Sequence, residues 1–135
     1  MQVLLTPPPT DREGYIAASE RSLIFMSKKY GNAELARERA AAAYDRSFYP
    51  EGAMRQMTAI VASGDRSAGL ADLAVATLVI HGRDDCLIGP SGGMRTAELI
   101  DGANLLLVGD MGHDLPEPLW PVIVDSIVSH TAHAD

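Results

Sequence analysis

The amino-acid sequence predicts the α/β class, with a helical region over residues 1–72 followed by two parallel strands and two helices over residues 73–135. Three observations predict it. Apolar residues recur at helical spacing through the first region. Two short, nearly unbroken apolar runs, "ATLVIHG" (76–82) and "ANLLLVG" (103–109), each stop at a glycine. Between them lies "SGGMRTAELIDG" (91–102), long enough for a single crossover helix. Strand, helix and strand in that order make a β-α-β unit, and such units close right-handed with parallel strands.

Each element has its own warrant. "PPPTDRE" (7–13) is a helix entry, with Thr10 as the expected N-cap and Glu13 completing a capping box. Tyr15, Ala18, Ser22 and Phe25/Met26 then continue the helical spacing until "KKYGN" (28–32) stops it. Asn32 is the expected cap of a second, alanine-rich helix, "AELARERAAAAYDRSF" (33–48). Pro50 opens a third, "PEGAMRQMTAIVASGD" (50–65), with Met54, Met57, Ile60 and Val61 on one side and Gly64 near its end. In the second region Ser91 is the expected cap of the crossover helix, which Asp101-Gly102 stops. A last helix, near 118–130, carries Leu119, Trp120, Ile123, Val124, Ile127 and Val128 on a broad apolar face.

The bulk numbers narrow the function classes. Of 135 residues, 47% are hydrophobic and 21% charged, the balance of an ordinary globular chain. A net charge of −7 argues against a nucleic-acid partner or an anionic membrane surface. No apolar run has the length of a membrane span, and "MQVLLTPPPT" is unlike a signal peptide. The lone cysteine, Cys86, fits a reducing compartment, so the expectation is a soluble cytoplasmic protein. The strands raise a physical problem. Strands this apolar belong to a parallel sheet covered on both faces, and two strands do not make such a sheet. The expectation is the last part of a larger α/β sheet, whose remainder another chain supplies or which is absent.

In an open parallel sheet, functional groups collect beyond the carboxyl ends of the strands. "HGRDD" (81–85) leaves the first strand there and "GDMGH" (109–113) leaves the second. Adjacent strands lie about 4.8 Å apart, so an acid from one loop reaches an imidazole from the other. Asp85 and His113 form such a pair, each near a glycine, Gly82 or Gly112, that permits a sharp turn. A carboxylate that accepts one imidazole N–H fixes the tautomer and leaves the other nitrogen as a general base. Asp84 is the rival acid.

The stretch "TLVIHGRDDCLIGPSGGMRTAELIDGANLLLVGDMGHDLP" resembles the C-terminal third of the α/β-hydrolases. It is especially similar to the branch of haloperoxidases, epoxide hydrolases and small-ester hydrolases that includes enzymes like aclacinomycin methylesterase. The resemblance implies that Asp85 is the triad acid of the H-G-x-x-D stretch and that Gly112-His113 supplies the base. It implies that the helical region over 1–72 is the cap, or lid, of the active site. Cys86 and Gly89 stand where the family commonly has proline. The family's nucleophile elbow and oxyanion loop, which precede the cap, have no counterpart upstream of residue 73.

Gly89-Pro90-Ser91-Gly92-Gly93 satisfies G-x-S-x-G, the pattern of a nucleophilic serine. The elbow requires a buried strand running straight into the first glycine. Here a loop separates the strand's end from Gly89, and Pro90 fixes φ just before the serine. Ser91 is therefore expected to be a decoy. Cys86 reads as a small packing residue. His81, Asp84, Asp85, His113 and Asp114 match no metal-ligand spacing, and His130 and His133 read as solvated tail residues. Phe25, Met26, Tyr49, Met54 and Met57 are candidates for an apolar acyl pocket, although such stripes are more often packed helix faces.

The sequence thus predicts a fragment of a serine hydrolase acting on a small apolar ester or amide, with no cofactor or metal. It supplies acid and base but not the nucleophile, and is expected to be inactive alone. In the hydrolase reading the chain pairs with a nucleophile-bearing half. Two alternatives stay open. One is a non-catalytic assembly or binding module whose exposed sheet edge pairs with itself, at about twice 14.4 kDa, or with a partner. The other is a truncated gene product.

Overall fold

The computed structural model describes residues 6, 7 and 9–133. The chain falls into two compact units, one built from the residues up to Ile24 with Asn32–Gly64, the other from Phe25–Gly31 with the residues from Asp65 onward.

The first unit contains α1 (Arg12–Ala18), most of a 3₁₀ helix (Ser19–Phe25), α2 (Ala33–Arg46) and α3 (Glu51–Ser63). The cap of α1 is Asp11 rather than the expected Thr10, and Asp11 Oδ1 accepts the Gly14 N–H at 2.7 Å. A start one residue later moves Glu13 out of the third helical position, so the capping box does not form. The α-helical spacing expected to run on to Met26 instead tightens at Ser19. The hydroxyls of Ser19 and Ser22 each donate to the carbonyl three residues back, at Ile16 and Ser19, which suits the shorter 3₁₀ turn. Asn32 caps α2 as expected, its Oδ1 accepting from Glu34 and Leu35. Helices α1 and α2 are joined by a forked Arg12–Asp45 ion pair and by the rings of Tyr15 and Tyr44, with Phe48 beside them at 4.5–5.6 Å between centroids. Helix α3 ends at Gly64, whose φ of 57° is the left-handed conformation that favours glycine. Its apolar stripe is open, with Met54 61% and Val61 77% exposed.

The second unit carries α4 (Ser67–Ala71), β1 (Leu78–Gly82), α5 (Pro90–Leu99), β2 (Asn104–Val108), a 3₁₀ turn (Glu117–Leu119) and α6 (Trp120–Ala132). Helix α4 was not expected; the Asp65 carboxylate starts it by accepting the N–H and hydroxyl of Ser67. The strands pair in parallel, in register from Leu78 with Asn104 to Gly82 with Val108. Helix α5 provides the crossover, and Gly102 with φ 71° turns the chain into β2. Ser91 does not cap α5. The helix opens at Pro90 with Gly89 as its cap, so Ser91 falls inside the first turn. Proline is pre-set for the first helical position and needs no N–H there, which draws the start forward by two residues and leaves Ser91 inside the helix. Val108, Met111 and Ile123 form the buried core, with Ile80, Leu106 and Leu119 packed against them. Among the described residues the sheet has these two strands, and Leu105 and Leu107 of β2 are exposed. No described helix is long and apolar enough to cross a membrane.

Candidate active site

Parallel pairing brings the ends of β1 and β2 side by side, Gly82 opposite Val108. The loops that leave these ends carry Asp85 and His113. They are tied by main-chain bonds: Arg83 N–H donates to the Val108 carbonyl at 2.9 Å, and Asp84 N–H to the Met111 carbonyl at 3.0 Å. The approach is close enough that a side chain on Gly82 would collide with the carbonyl oxygens of Met111 and Gly112. Glycine at 82 is required by this contact rather than by its φ.

Asp85 is 7% exposed and fully engaged. Its Oδ1 accepts the N–H groups of Leu87 at 2.8 Å and Ile88 at 2.9 Å, and its Oδ2 accepts from His113 Nδ1 at 2.8 Å. Burial pushes this carboxyl up. The hydrogen bonds from His113, Ile88 and Leu87, with the charge of His113, outweigh burial and hold it below the usual carboxylate value. An acceptor-only carboxylate facing Nδ1 sets the tautomer, with the proton on Nδ1 and the lone pair on Nε2. The His113 side chain is 44% exposed, so that nitrogen sits on an accessible ring.

A second imidazole stands behind the acid. His81 Nε2 donates to the Ile88 carbonyl at 2.9 Å and lies 3.7 Å from Asp85 Oδ2. It secures the loop that bends back over Asp85. Helix α5 passes so near this ring that a Cβ on Gly93 would lie 2.7 Å from His81 Nδ1. His81, Asp85 and His113 share a cavity of about 290 Å³ with Ile80, Ile88 and Leu115 on its apolar side.

No protein-family model matches the chain, and no curated protein is similar enough in sequence to match it. Solved structures do match. An esterase, RhEst1, from Rhodococcus sp. ECU1013 superposes with a TM-score of 0.71 at 17% identity, over 100% of this chain and 48% of that one. The meta-cleavage product hydrolase CumD of Pseudomonas fluorescens IP01 gives 0.68 at 24% identity, over 98% and 48%. An N-acyl homoserine lactone degrading enzyme gives 0.57 at 20% identity, over 90% and 51%. The fold is that of an α/β-hydrolase. This chain corresponds to a C-terminal portion of it and spans about half the length of the solved structures it matches.

Within this fold the predicted pair, Asp85 and His113, is brought together, and the rival Asp84 is exposed. Ser91 lies in the first turn of α5, outside the residues that line the cavity. Among the described residues no group of three or more His, Cys, Asp or Glu is placed to hold a metal ion. Asp114 is not a partner of the acid–base pair, because its Oδ1 accepts the N–H of Ser27 at 2.7 Å. Sequence reasoning passed over Ser27, and it weighed His81 only as a metal ligand, not as a support of the acid loop. His81 stands in the H-G-x-x-D stretch and was available to inspection. Ser27 carries no local signal, since its partners Asp110 and Asp114 lie 83 and 87 positions away.

Proposed function

We propose that this chain contributes the acid and base of a serine-hydrolase active site that cleaves an ester or amide. The carrying observation is the buried, fully hydrogen-bonded Asp85 facing Nδ1 of a half-exposed His113. His113 Nε2 takes the proton of a serine hydroxyl as that oxygen attacks the substrate carbonyl, and Asp85 stabilises the imidazolium that forms. The imidazolium then gives the proton to the departing alcohol or amine. In the second half-reaction Nε2 deprotonates a water that attacks the acyl-serine, and the imidazolium returns that proton to the serine oxygen as the acid leaves. The serine and the oxyanion donors come from a nucleophile-bearing portion outside this chain, and the helices over residues 1–72 act as the cap that selects the substrate. The apolar wall of Ile80, Ile88 and Leu115 favours a small apolar acyl or alcohol group.

The test is turnover of p-nitrophenyl butyrate by the purified chain, alone and fused behind the serine-bearing portion of a matched hydrolase. The chain alone is expected to be silent. The fusion is expected to be active and to lose activity in His113→Ala and Asp85→Asn. Activity in the fusion that survives both substitutions refutes the proposal. Activity of the chain alone that Ser91→Ala abolishes refutes it differently, by making Ser91 the nucleophile.

A further inference from the structure

We infer that the segment Phe25–Gly31 is a strap that positions the base, with Ser27 and Asp114 as its positioning residues. The inference rests on the acid–base reading of Asp85 and His113 and adds to it what holds the imidazole in place.

Four bonds join this segment to the loop that follows β2. His113 N–H donates to the Phe25 carbonyl at 2.7 Å. Ser27 N–H donates to Asp114 Oδ1 at 2.7 Å, and the Ser27 hydroxyl donates to the Asp110 carbonyl. Lys29 Nζ pairs with Asp110 Oδ2 at 2.7 Å. Ser27 is 1% exposed, and its hydroxyl also accepts the Tyr30 N–H at 3.2 Å, so both sides of that group are used. The Gly31 N–H closes the turn by donating to the Ser27 carbonyl at 2.7 Å.

The loop is shaped to receive this segment. Asp110 holds φ at 60°, a left-handed conformation that non-glycine residues adopt at a cost, and Ser27 binds the carbonyl which that conformation presents. At Gly112 an added Cβ would lie 2.5 Å from the carbonyl carbon of Met26 and 2.7 Å from both the Phe25 oxygen and the Ser27 nitrogen. The residue before the base therefore has no side chain because strap backbone fills the space. On its other side the same loop is bound by the acid loop through Arg83 and Asp84. The base loop is clamped between two backbones, and Nδ1 meets Asp85 at 2.8 Å only while both are docked.

The test reads the His113 Nδ1–H proton by NMR on the isolated chain, without substrate, so it can fail while the hydrolytic reading stands, and conversely. Asp114→Ala removes the acceptor of Ser27 N–H, and Asp114→Asn keeps an oxygen there. Asp114→Ala is expected to speed solvent exchange of the Nδ1 proton by about tenfold or more, the loss of one charge-assisted hydrogen bond, and Asp114→Asn to restore most of its protection. An unchanged exchange rate in Asp114→Ala, or an Asn variant as fast as the Ala variant, overturns the strap. A wild-type measurement covers an Ala variant that does not fold. The amides of Ser27 and His113 are expected to exchange at matching rates, because one opening frees both. A protected Ser27 amide beside a fast His113 amide also overturns it.

Discussion

Asp85→Asn changes one charge and one tautomer while keeping the side chain's volume. In the native site Oδ1 takes the N–H groups of Leu87 and Ile88, and Oδ2 takes the Nδ1–H of His113. The asparagine carbonyl can inherit the bonds of Oδ1, which leaves its NH₂ facing Nδ1. That group only donates, so His113 must turn a lone pair toward it and carry its proton on Nε2. The nitrogen proposed as base is then already protonated. A charge-assisted bond worth about 1.5–3 kcal/mol gives way to a neutral one near 1, so the loss in stability is about 0.5–2 kcal/mol. Asp85→Ala also removes the acceptor of the partly buried Leu87 and Ile88 N–H bonds, and costs about 2 kcal/mol or more beyond the Asn variant. A ¹⁵N–¹H imidazole correlation distinguishes the tautomers directly, and urea melts give the stabilities. Proton on Nδ1 is expected in the wild type and on Nε2 in the Asn variant. Nδ1–H in both, or an Asn variant as unstable as Ala, refutes the reasoning. In a completed active site the wrong tautomer would lower turnover by about 10⁴.

Gly112→Ala drives a methyl into the Phe25–Ser27 backbone and is expected to cost about 1–3 kcal/mol, read as a lower urea midpoint with an unchanged slope. Asp85 is held below the usual carboxylate value in the folded chain. Its contribution is therefore present above the unfolded value near 4 and is lost as pH falls through the lower folded value. Wild type is thus expected to lose its advantage over Asp85→Asn between about pH 4 and the acid limit in a pH series of melts. Ser91→Ala, which removes no cap bond, is expected to change stability by no more than about 0.5 kcal/mol and to leave the activity of a completed enzyme unaltered, as thermal melts and ester turnover would report.

The parts of the fold legible in the sequence are those whose causes are local. Glycine stops after two apolar runs located the strands, their order made them parallel, and parallel pairing set Asp85 against His113. Asn32 and Gly64 act where their own chemistry puts them. The misplaced details are contests between neighbours of nearly equal merit. Asp11 outbids Thr10 as a cap, and Pro90 takes the helix start ahead of Ser91. The 3₁₀ turn at Ser19 depends on hydroxyls whose choice of carbonyl acceptor periodicity does not reveal. The strap was illegible for a different reason. Its bonds join positions more than 80 apart, and nothing in "FMSKKYG" announces its partner.

That separation bears on how the chain folds. Pairing β1 with β2 closes only the short crossover between them, whereas docking Ser27 on Asp110 closes a loop of more than 80 residues that contains α2, α3, α4 and the whole β-α-β unit. Long loops carry the larger entropic cost, and contacts distant in sequence are made late. The β-α-β unit is thus able to form before the loops that carry Asp85 and His113 are set. A fragment that starts at residue 73 would keep the strands and the helix between them, yet its histidine would hang from a loop missing one of its two supports.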